Sequence, residues 1–357
     1  MHLKRVEVRD FRNLTSVSLS PAAGLNIFEG KNASGKTSFL EALHMLALAR
    51  SFRTVKTDQL IQYGKDHLLL FAELSDKKTH RIGLQRFTDN RTVIRIDGES
   101  LRSRAQLVHL LPTQLVTPES LSLLTGSPGE RRQYLDWVMF HVEPTFHETW
   151  VHYQRYVRQR NVLLREHRKE ELSFWSRGIA EHGDRITELR RTTLEQLQPY
   201  IESYVAVLLP KVNLTLSYRQ GWRSGLRLDE ALTTALETDL KQKYTGVGPH
   251  RADLLLAVDE QRASDILSRG QLKLLLCALK LAQLHYIKER TGKSSIVLID
   301  DLPAELDVDH RALLLSLLHD LDSQVFVTST DHTHLDYSSW NDVKVFHVEH
   351  GKVKEVV

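Results

Sequence analysis

The run Gly30-Lys31-Asn32-Ala33-Ser34-Gly35-Lys36-Thr37 constrains this chain more than any other stretch. It fits G-x-x-x-x-G-K-[ST], the spacing of a phosphate-binding loop. Leu25-Asn26-Ile27-Phe28 predicts a buried strand before it, and Ser38 to Leu46 has helical spacing after it. The glycines let the backbone curl until its N–H groups face the β- and γ-phosphates, and the helix N-terminus adds its dipole. On this reading Gly30 through Ser38 cradle a nucleotide, with Lys36 as the point charge and the Thr37 hydroxyl as a ligand for Mg²⁺. Lys36 is expected to be accessible to solvent before a nucleotide binds.

A second apolar strand, Ile296-Val297-Leu298-Ile299, delivers Asp300 and Asp301 at its end. With a phosphate loop upstream, this is a Walker B pattern. Asp300 is placed to hold Mg²⁺ through water, and Asp301 to orient or deprotonate an attacking water. Leu267-Ser268-Arg269-Gly270-Gln271 precedes a strong helix. Ser268 reads as an N-cap, or the whole segment reads as an ABC-type signature. In the second case Ser268, Arg269 and Gln271 meet a γ-phosphate held by another subunit. The order of phosphate loop, signature and Walker B favours the second reading.

At 357 residues the chain holds two domains, or one large domain with an insertion. Up to about Thr117 it reads as strands around one helix. His67 to Leu74, Arg81 to Phe87 and Arg91 to Ile96 form an antiparallel meander with a turn at Asp97-Gly98. From Pro118 to Lys243 the period becomes helical, with helices near 129–142 and 145–172. A long helix marked by Ile186 through Leu208 ends at Pro210, and Val212 to Tyr218 suits a strand. From Tyr244 α/β character returns, closing on a hairpin around His350-Gly351. The predicted fold class is α/β. An ABC-type ATPase head is made from 1–117 and 244–357 and interrupted by a mostly helical lobe at 118–243, with no long coiled coil.

A net charge of +3 does not itself establish a nucleic-acid partner. Between Val151 and Glu170, though, Arg155, Arg158, Arg160, Arg165, Arg168 and Lys169 face only Glu166 and Glu170. On one helix Arg155, Arg158, Arg165 and Lys169 form a stripe, either a track for a DNA backbone or a solvated face. Trp137, Phe140, Tyr153, Tyr156, Phe174 and Trp175 read mainly as interhelical core rather than base-stacking platforms. The single cysteine, Cys277, lies in an apolar run, reads as a buried hydrophobe and favours a reducing compartment. No apolar run approaches a membrane span and no signal peptide opens the chain. The expectation is a soluble, cytoplasmic protein without a membrane partner.

Several further segments carry a family resemblance. They are Asp10-Phe11-Arg12-Asn13, Ala49-Arg50-Ser51-Phe52-Arg53, and Pro118-Glu119 with Gly126-Ser127-Pro128, Glu130-Arg131-Arg132 and Leu135-Asp136. Gly248-Pro249-His250-Arg251, and Asp300-Asp301 with Ala304-Glu305-Leu306-Asp307, complete the order. Nearly end to end, the chain resembles the RecF family of bacterial recombination and repair ATPases, in the ABC/SMC/Rad50 class. The resemblance implies an ATP- and Mg²⁺-dependent head, with Arg12 joining the nucleotide site. It implies an ATP-dependent homodimer on DNA, slow hydrolysis that opens the dimer, and action at gaps where single-stranded meets double-stranded DNA. It also implies RecR and RecO as partners in loading RecA.

Departures from the general ABC pattern accompany the match. Arg269 replaces the usual signature glycine, and Asp301 stands where transport ATPases carry glutamate. Thr330 takes the place of the switch histidine, with His332 and His334 nearby. Gln114 and Glu119 compete for the Q-loop position, and Ala252 breaks an acidic pair. An ATP-driven protein–protein scaffold that never touches DNA remains the alternative. A transporter subunit is disfavoured by the length of the insertion.

Overall fold

The computed structural model describes residues 1–101, 103–302 and 306–356. Ala304 and Glu305 of the second family signature lie outside the described residues. The strands are β1 (His2–Phe11), β2 (Leu14–Leu19), β3 (Leu25–Glu29), β4 (His67–Ser75), β5 (Thr79–Phe87), β6 (Thr92–Ile96), β7 (Glu99–Ser100) and β8 (Thr113–Val116). They continue with β9 (Leu214–Arg219), β10 (Asp253–Val258), β11 (Gln261–Arg262), β12 (Ile296–Ile299), β13 (Gln324–Ser329), β14 (Val343–Glu349) and β15 (Lys352–Glu355). The helices begin with α1 (Lys36–Leu48), α2 (Arg104–Leu110), α3 (Ser122–Thr125), α4 (Pro128–Val142), α5 (Phe146–Arg165) and α6 (Leu172–Leu208). Then follow α7 (Leu228–Thr234), α8 (Leu236–Gln242), α9 (Ala263–Ile266), α10 (Arg269–Thr291) and a last helix, α11 (Val308–Asp320).

Two compact units emerge, residues 1–120 with 284–357, and residues 121–283. In the first, an antiparallel sheet ordered β2-β1-β4-β5-β6-β7 and a sheet ordered β15-β14-β3-β13-β12-β8 share one apolar core with α1. Five strands of the second sheet run parallel, and β15 folds back on β14. α1 is buried along nearly its whole length, polar Ser38, Glu41 and His44 included, as befits a helix covered by protein all round. Phe28 of β3 stacks on Phe39 of α1 at 4.5 Å and on Phe346 of β14 at 4.9 Å. These rings fix the strand and helix on either side of the phosphate loop. Buried Gln324 ties the sheets together, exchanging hydrogen bonds with the Leu3 backbone and donating to the Ala22 carbonyl. The expected meander is present, and its turn puts Asp97 and Gly98 at φ 53° and 90°, the left-handed pair a tight hairpin requires.

In the second unit β9 pairs along its length with β10, and β11 extends that sheet. Since β9 lies before residue 243 and β10 after it, their pairing carries the compact unit past 243. Its far boundary falls within α10. The expected helix over 145–172 is two elements. α5 stops at Arg165, His167 takes a left-handed φ of 58°, and Lys169–Glu171 is a separate 3₁₀ turn. The long helix starts at Leu172, well before the segment marked by its periodicity, and runs to Leu208.

Candidate functional site

The phosphate loop sits where β3 ends and α1 begins. Gly30 adopts φ 147°, and a Cβ there would run into the Val348 carbonyl of β14. The loop is braced from outside. The Gly351 N–H donates to the Ser34 carbonyl at 2.9 Å, and Asn13 Nδ2 donates to the same oxygen at 3.3 Å. Gly351 has φ 74° and lies against the Asn13 backbone, so only glycine brings the β14–β15 turn this close.

Lys36 departs from expectation. It is 9% exposed rather than accessible. Its Nζ turns back into the loop, donating to the Gly30 carbonyl at 2.5 Å and the Lys31 carbonyl at 3.0 Å. The ammonium satisfies itself on the nearest carbonyls, as a buried donor must. Burial lowers its pKa, and the charges of Asp301 and Asp300 oppose that shift. A phosphate entering the loop competes with two carbonyls for this cation.

The two expected metal ligands meet. Thr37 Oγ1 donates to Asp300 Oδ1 at 3.0 Å. A hydroxyl and a carboxylate are hard oxygen donors of the kind that would hold Mg²⁺, with Asp300 acting through water. Thr328 completes the arrangement, donating through its hydroxyl to Asp300 Oδ1 and accepting from the Asp301 N–H, both at 2.7 Å. β13 and β12 are parallel neighbours with Val327 opposite Ile299, so the register places Thr328 beside Asp300. Asp301 sits at φ 55°. Aspartate tolerates this left-handed region better than most residues, which offers a backbone reason for the shorter acid.

Desolvation raises the Asp300 pKa, against hydrogen bonds from Thr328 and Thr37. Asp301 adds to the rise, and Arg53 opposes it. A carboxyl whose folded pKa exceeds its unfolded value costs nothing below the ordinary carboxylate range. Its penalty grows as pH rises through the folded pKa. Asp300→Asn should therefore raise the melting temperature of the protein without nucleotide at pH 7.5, a difference that vanishes near pH 3.5. The same change should weaken Mg²⁺-dependent nucleotide binding at least ~10-fold. Melting curves at the two pH values, with and without Mg²⁺ and ATP, check both parts.

Arg12 is placed differently from a free phosphate ligand. Its guanidinium grips Glu41 of α1 through two bonds, at 2.5 and 2.7 Å. Glu41 is fully buried and also accepts from Ser51, with Arg53 at 3.5 Å. This group ties the β1–β2 turn to the segment after α1. Arg53 retains 44% exposure of its side chain, and its charge reaches Asp300. Thr328 and Glu41 were not singled out from sequence, and Arg53 entered only within a segment of family resemblance. The only local signal was the hydroxyl-rich end of Gln324 to Thr330.

Gln114 is buried within β8, whereas Glu119 is exposed in the 3₁₀ turn that follows. Of the two Q-loop candidates, only Glu119 faces solvent, at the end of the strand beside β12. Thr330 is exposed just past β13. In the second unit Ser268 and Gln271 cap α10 reciprocally. The Ser268 N–H donates to Gln271 Oε1 at 2.9 Å, and the Gln271 N–H to Ser268 Oγ at 3.3 Å. Ser268, Arg269 and Gly270 are exposed, and a Cβ on Gly270 would meet nothing within 4 Å. Among the described residues, packing gives no reason for that glycine.

The basic stripe is shorter than expected. Arg155, Arg158 and Arg165 are exposed on α5. Lys169 lies beyond the helix and pairs with Glu237 at 3.6 Å. Arg160 is wholly buried, donating to Asp239 at 2.6 Å and Thr245 at 2.9 Å. Arg168 pairs with Glu166 and Glu171. Of the aromatic residues, Tyr153 is buried, and Phe174 stands out at 62% exposed. Cys277 is buried, and among the described residues no helix is long and apolar enough to cross a membrane.

A phosphate loop, the Thr37–Asp300 hydroxyl–carboxylate contact and a Walker B strand on one parallel sheet, joined to an antiparallel sheet, define an ABC-type nucleotide-binding head. A family model described as "RecF/RecN/SMC N terminal domain" matches residues 2–354. The "DNA replication and repair protein RecF" of Shewanella frigidimarina is 41% identical over 356 residues, covering 99% of both chains. That of Pseudomonas entomophila is 44% identical over 361 residues, covering 99% of this chain and 98% of its own. A solved structure of "the recombination mediator protein RecF-ATPrS in RecFOR pathway" superposes with a TM-score of 0.88 at 27% identity, covering 100% of this chain and 98% of its own. The chain belongs to the RecF family.

Proposed function

We propose that this protein is an ATP-dependent DNA-binding protein of recombinational repair and replication restart. ATP and Mg²⁺ bind at residues 30–38 with Asp300, and two copies close on DNA. Asp301 activates water for a slow, DNA-dependent hydrolysis that releases the dimer. Arg12, which holds Glu41, and exposed Thr330 complete each site by shaping the loop and reporting the γ-phosphate. The dimer acts at junctions of single- and double-stranded DNA and helps load RecA with RecR and RecO, in the cytoplasm. In this reading 1–117 and 244–357 work as the ATPase lobe, and 118–243 faces DNA or the second copy.

The observation that carries the reading is the pairing of a complete Lys36–Thr37–Asp300 site with an exposed, capped helix start at Ser268-Arg269-Gly270. A glycine that no packing among the described residues requires suits close approach by a ligand. The match to RecF relatives over nearly the whole chain supports the pathway. Sedimentation with ATP or ADP, with and without a gapped duplex, tests it. ATP alone should produce the dimer and tighten DNA binding. A dimer indifferent to DNA would favour the protein–protein scaffold.

Arg155, Arg158 and Arg165 are the proposed DNA-facing residues on α5, with Lys169 as an outlying fourth. Arg158→Glu with Arg165→Glu should weaken duplex binding regardless of sequence. It should lower the slope of log affinity against log salt by about 2, roughly one for each phosphate no longer neutralised. ATP binding by the isolated protein should not change. An unaltered slope in a fluorescence titration assigns this face to solvent or to a protein.

A further inference from the structure

Glu29 is the last residue of β3, next to Gly30 of the phosphate loop. Its two neighbouring strands are both parallel, with β13 on one side and β14 on the other. Register places His347 of β14 directly opposite Glu29, while β13 ends at Ser329 and leads into Asp331 and His332. Three adjacent strands thus bring Glu29, Asp331 and His332 together, with His347 beside Glu29. His332 Nδ1 lies 2.7 Å from Glu29 Oε2, and His347 Nδ1 lies 3.5 Å from Glu29 Oε1. One ligating atom each from Glu29, Asp331 and His332 falls within 4.8 Å of the others. The side chains remain reachable, at 16% exposure for Glu29, 30% for His332 and 48% for His347.

We infer that Glu29, Asp331 and His332, with His347 as a fourth ligand, form a binding site for a borderline divalent metal of the Zn²⁺ or Co²⁺ kind. A mixed imidazole and carboxylate set suits these ions and not Mg²⁺, which takes oxygen ligands and keeps its waters. Bonds of about 2.0–2.2 Å place neighbouring tetrahedral ligands ~3.3–3.5 Å apart. The 2.7 Å between Glu29 and His332 needs to open by less than an ångström, Asp331 lies within 4.8 Å of both, and His347 flanks the other Glu29 oxygen at 3.5 Å. Asp331 already uses Oδ1 to accept from the Thr333 N–H and hydroxyl, which leaves Oδ2 for a metal. Binding would replace the Glu29–His332 hydrogen bond by two metal bonds and release any proton shared between them. It would also clamp the 331–334 turn to the strand that carries the phosphate loop, distinct from the Mg²⁺ position at Thr37 and Asp300. A trace transition metal would thereby stiffen the segment after β13 in a protein whose proposed switch lies there.

The test uses the full chain, stripped with chelator and titrated with Co²⁺ while visible absorption is followed, then challenged with Zn²⁺. A d–d band of low-symmetry Co²⁺ should appear and be bleached by one equivalent of Zn²⁺. His332→Ala should weaken Co²⁺ at least ~10-fold, since loss of even an outer partner of a metal ligand costs that much. His347→Ala should weaken it less and keeps the test open if the first variant folds poorly. Asp300→Asn should leave the band in place. Absence of the band, parental affinity in both histidine variants, or loss of the band only in Asp300→Asn would overturn the site. The last outcome would move the metal to the phosphate loop, and the first two would leave Glu29–His332 as an ion pair alone.

Discussion

Lys36→Ala should lose nucleotide binding by about 3 kcal/mol, on the order of 100-fold, as expected when one partner of a buried charge pair is removed. The fold should survive. Lys36 is attached to the rest of the protein through two carbonyls of its own loop, Gly30 and Lys31, and its alkyl stem lies at the start of a helix already buried on every side. What disappears is a partly desolvated cation and two hydrogen bonds. The carbonyls left behind sit beside a loop still braced by Gly351 and Asn13. The melting temperature should therefore move little while a fluorescent ATP analogue fails to bind. Near-parental affinity in a folded Lys36→Ala protein would show that the ammonium stays on its loop carbonyls and never engages phosphate.

Asp301→Asn separates binding from chemistry. The Asp301 backbone is held by Thr328 and has a left-handed φ of 55°, a conformation asparagine adopts as readily as aspartate. The substitution thus keeps shape and removes only the charge that would orient or deprotonate water. Losing a general base typically costs ~10²–10⁴-fold in rate, while binding of ATP and Mg²⁺ should hold, since Thr37 and Asp300 are intact. Glutamate at 301 would restore charge but not ease of conformation, so Asp301→Glu should recover only part of the rate. Single-turnover hydrolysis beside equilibrium ATP binding checks this. A parental rate in Asp301→Asn would remove Asp301 from the water-activating role.

The parts legible in sequence were those whose signal is local. The phosphate loop, its flanking strand and helix, the Asp300-Asp301 strand and the Asp97-Gly98 turn each declare themselves within a few residues. What escaped depends on partners far along the chain. Arg160 looks like any basic residue of α5 until Asp239 and Thr245 are folded against it. The break after Arg165 is set by a left-handed His167, which periodicity does not register. α6 begins earlier than its apolar pattern suggests because Gly178 and Gly183 pack directly against Tyr156 and Leu228. Those glycines read as weak helix formers in sequence. The pairing of β9 with β10 joins segments that composition alone assigns to different lobes. Within the site, Arg12 was named only through the family resemblance, and not as the partner of buried Glu41. Thr328 is an ordinary strand residue until parallel register sets it beside Asp300.

Under the proposed function, two chains share each ATP site, one providing Lys36 and the other Ser268. Mixing decides it. Lys36→Ala and Ser268→Arg should each be inactive alone. A mixed two-fold dimer contains one site damaged twice and one site intact. Random association makes about half the dimers mixed, so roughly a quarter of parental ATPase activity should return, by that two-fold geometry. The measurement is ATPase activity across mixing ratios, with mixed dimers confirmed by differently tagged chains. Recovery peaking at equal ratio is the predicted result. No recovery at any ratio, with mixed dimers present, would contradict the shared site and leave Ser268-Arg269-Gly270 as the capped start of a helix.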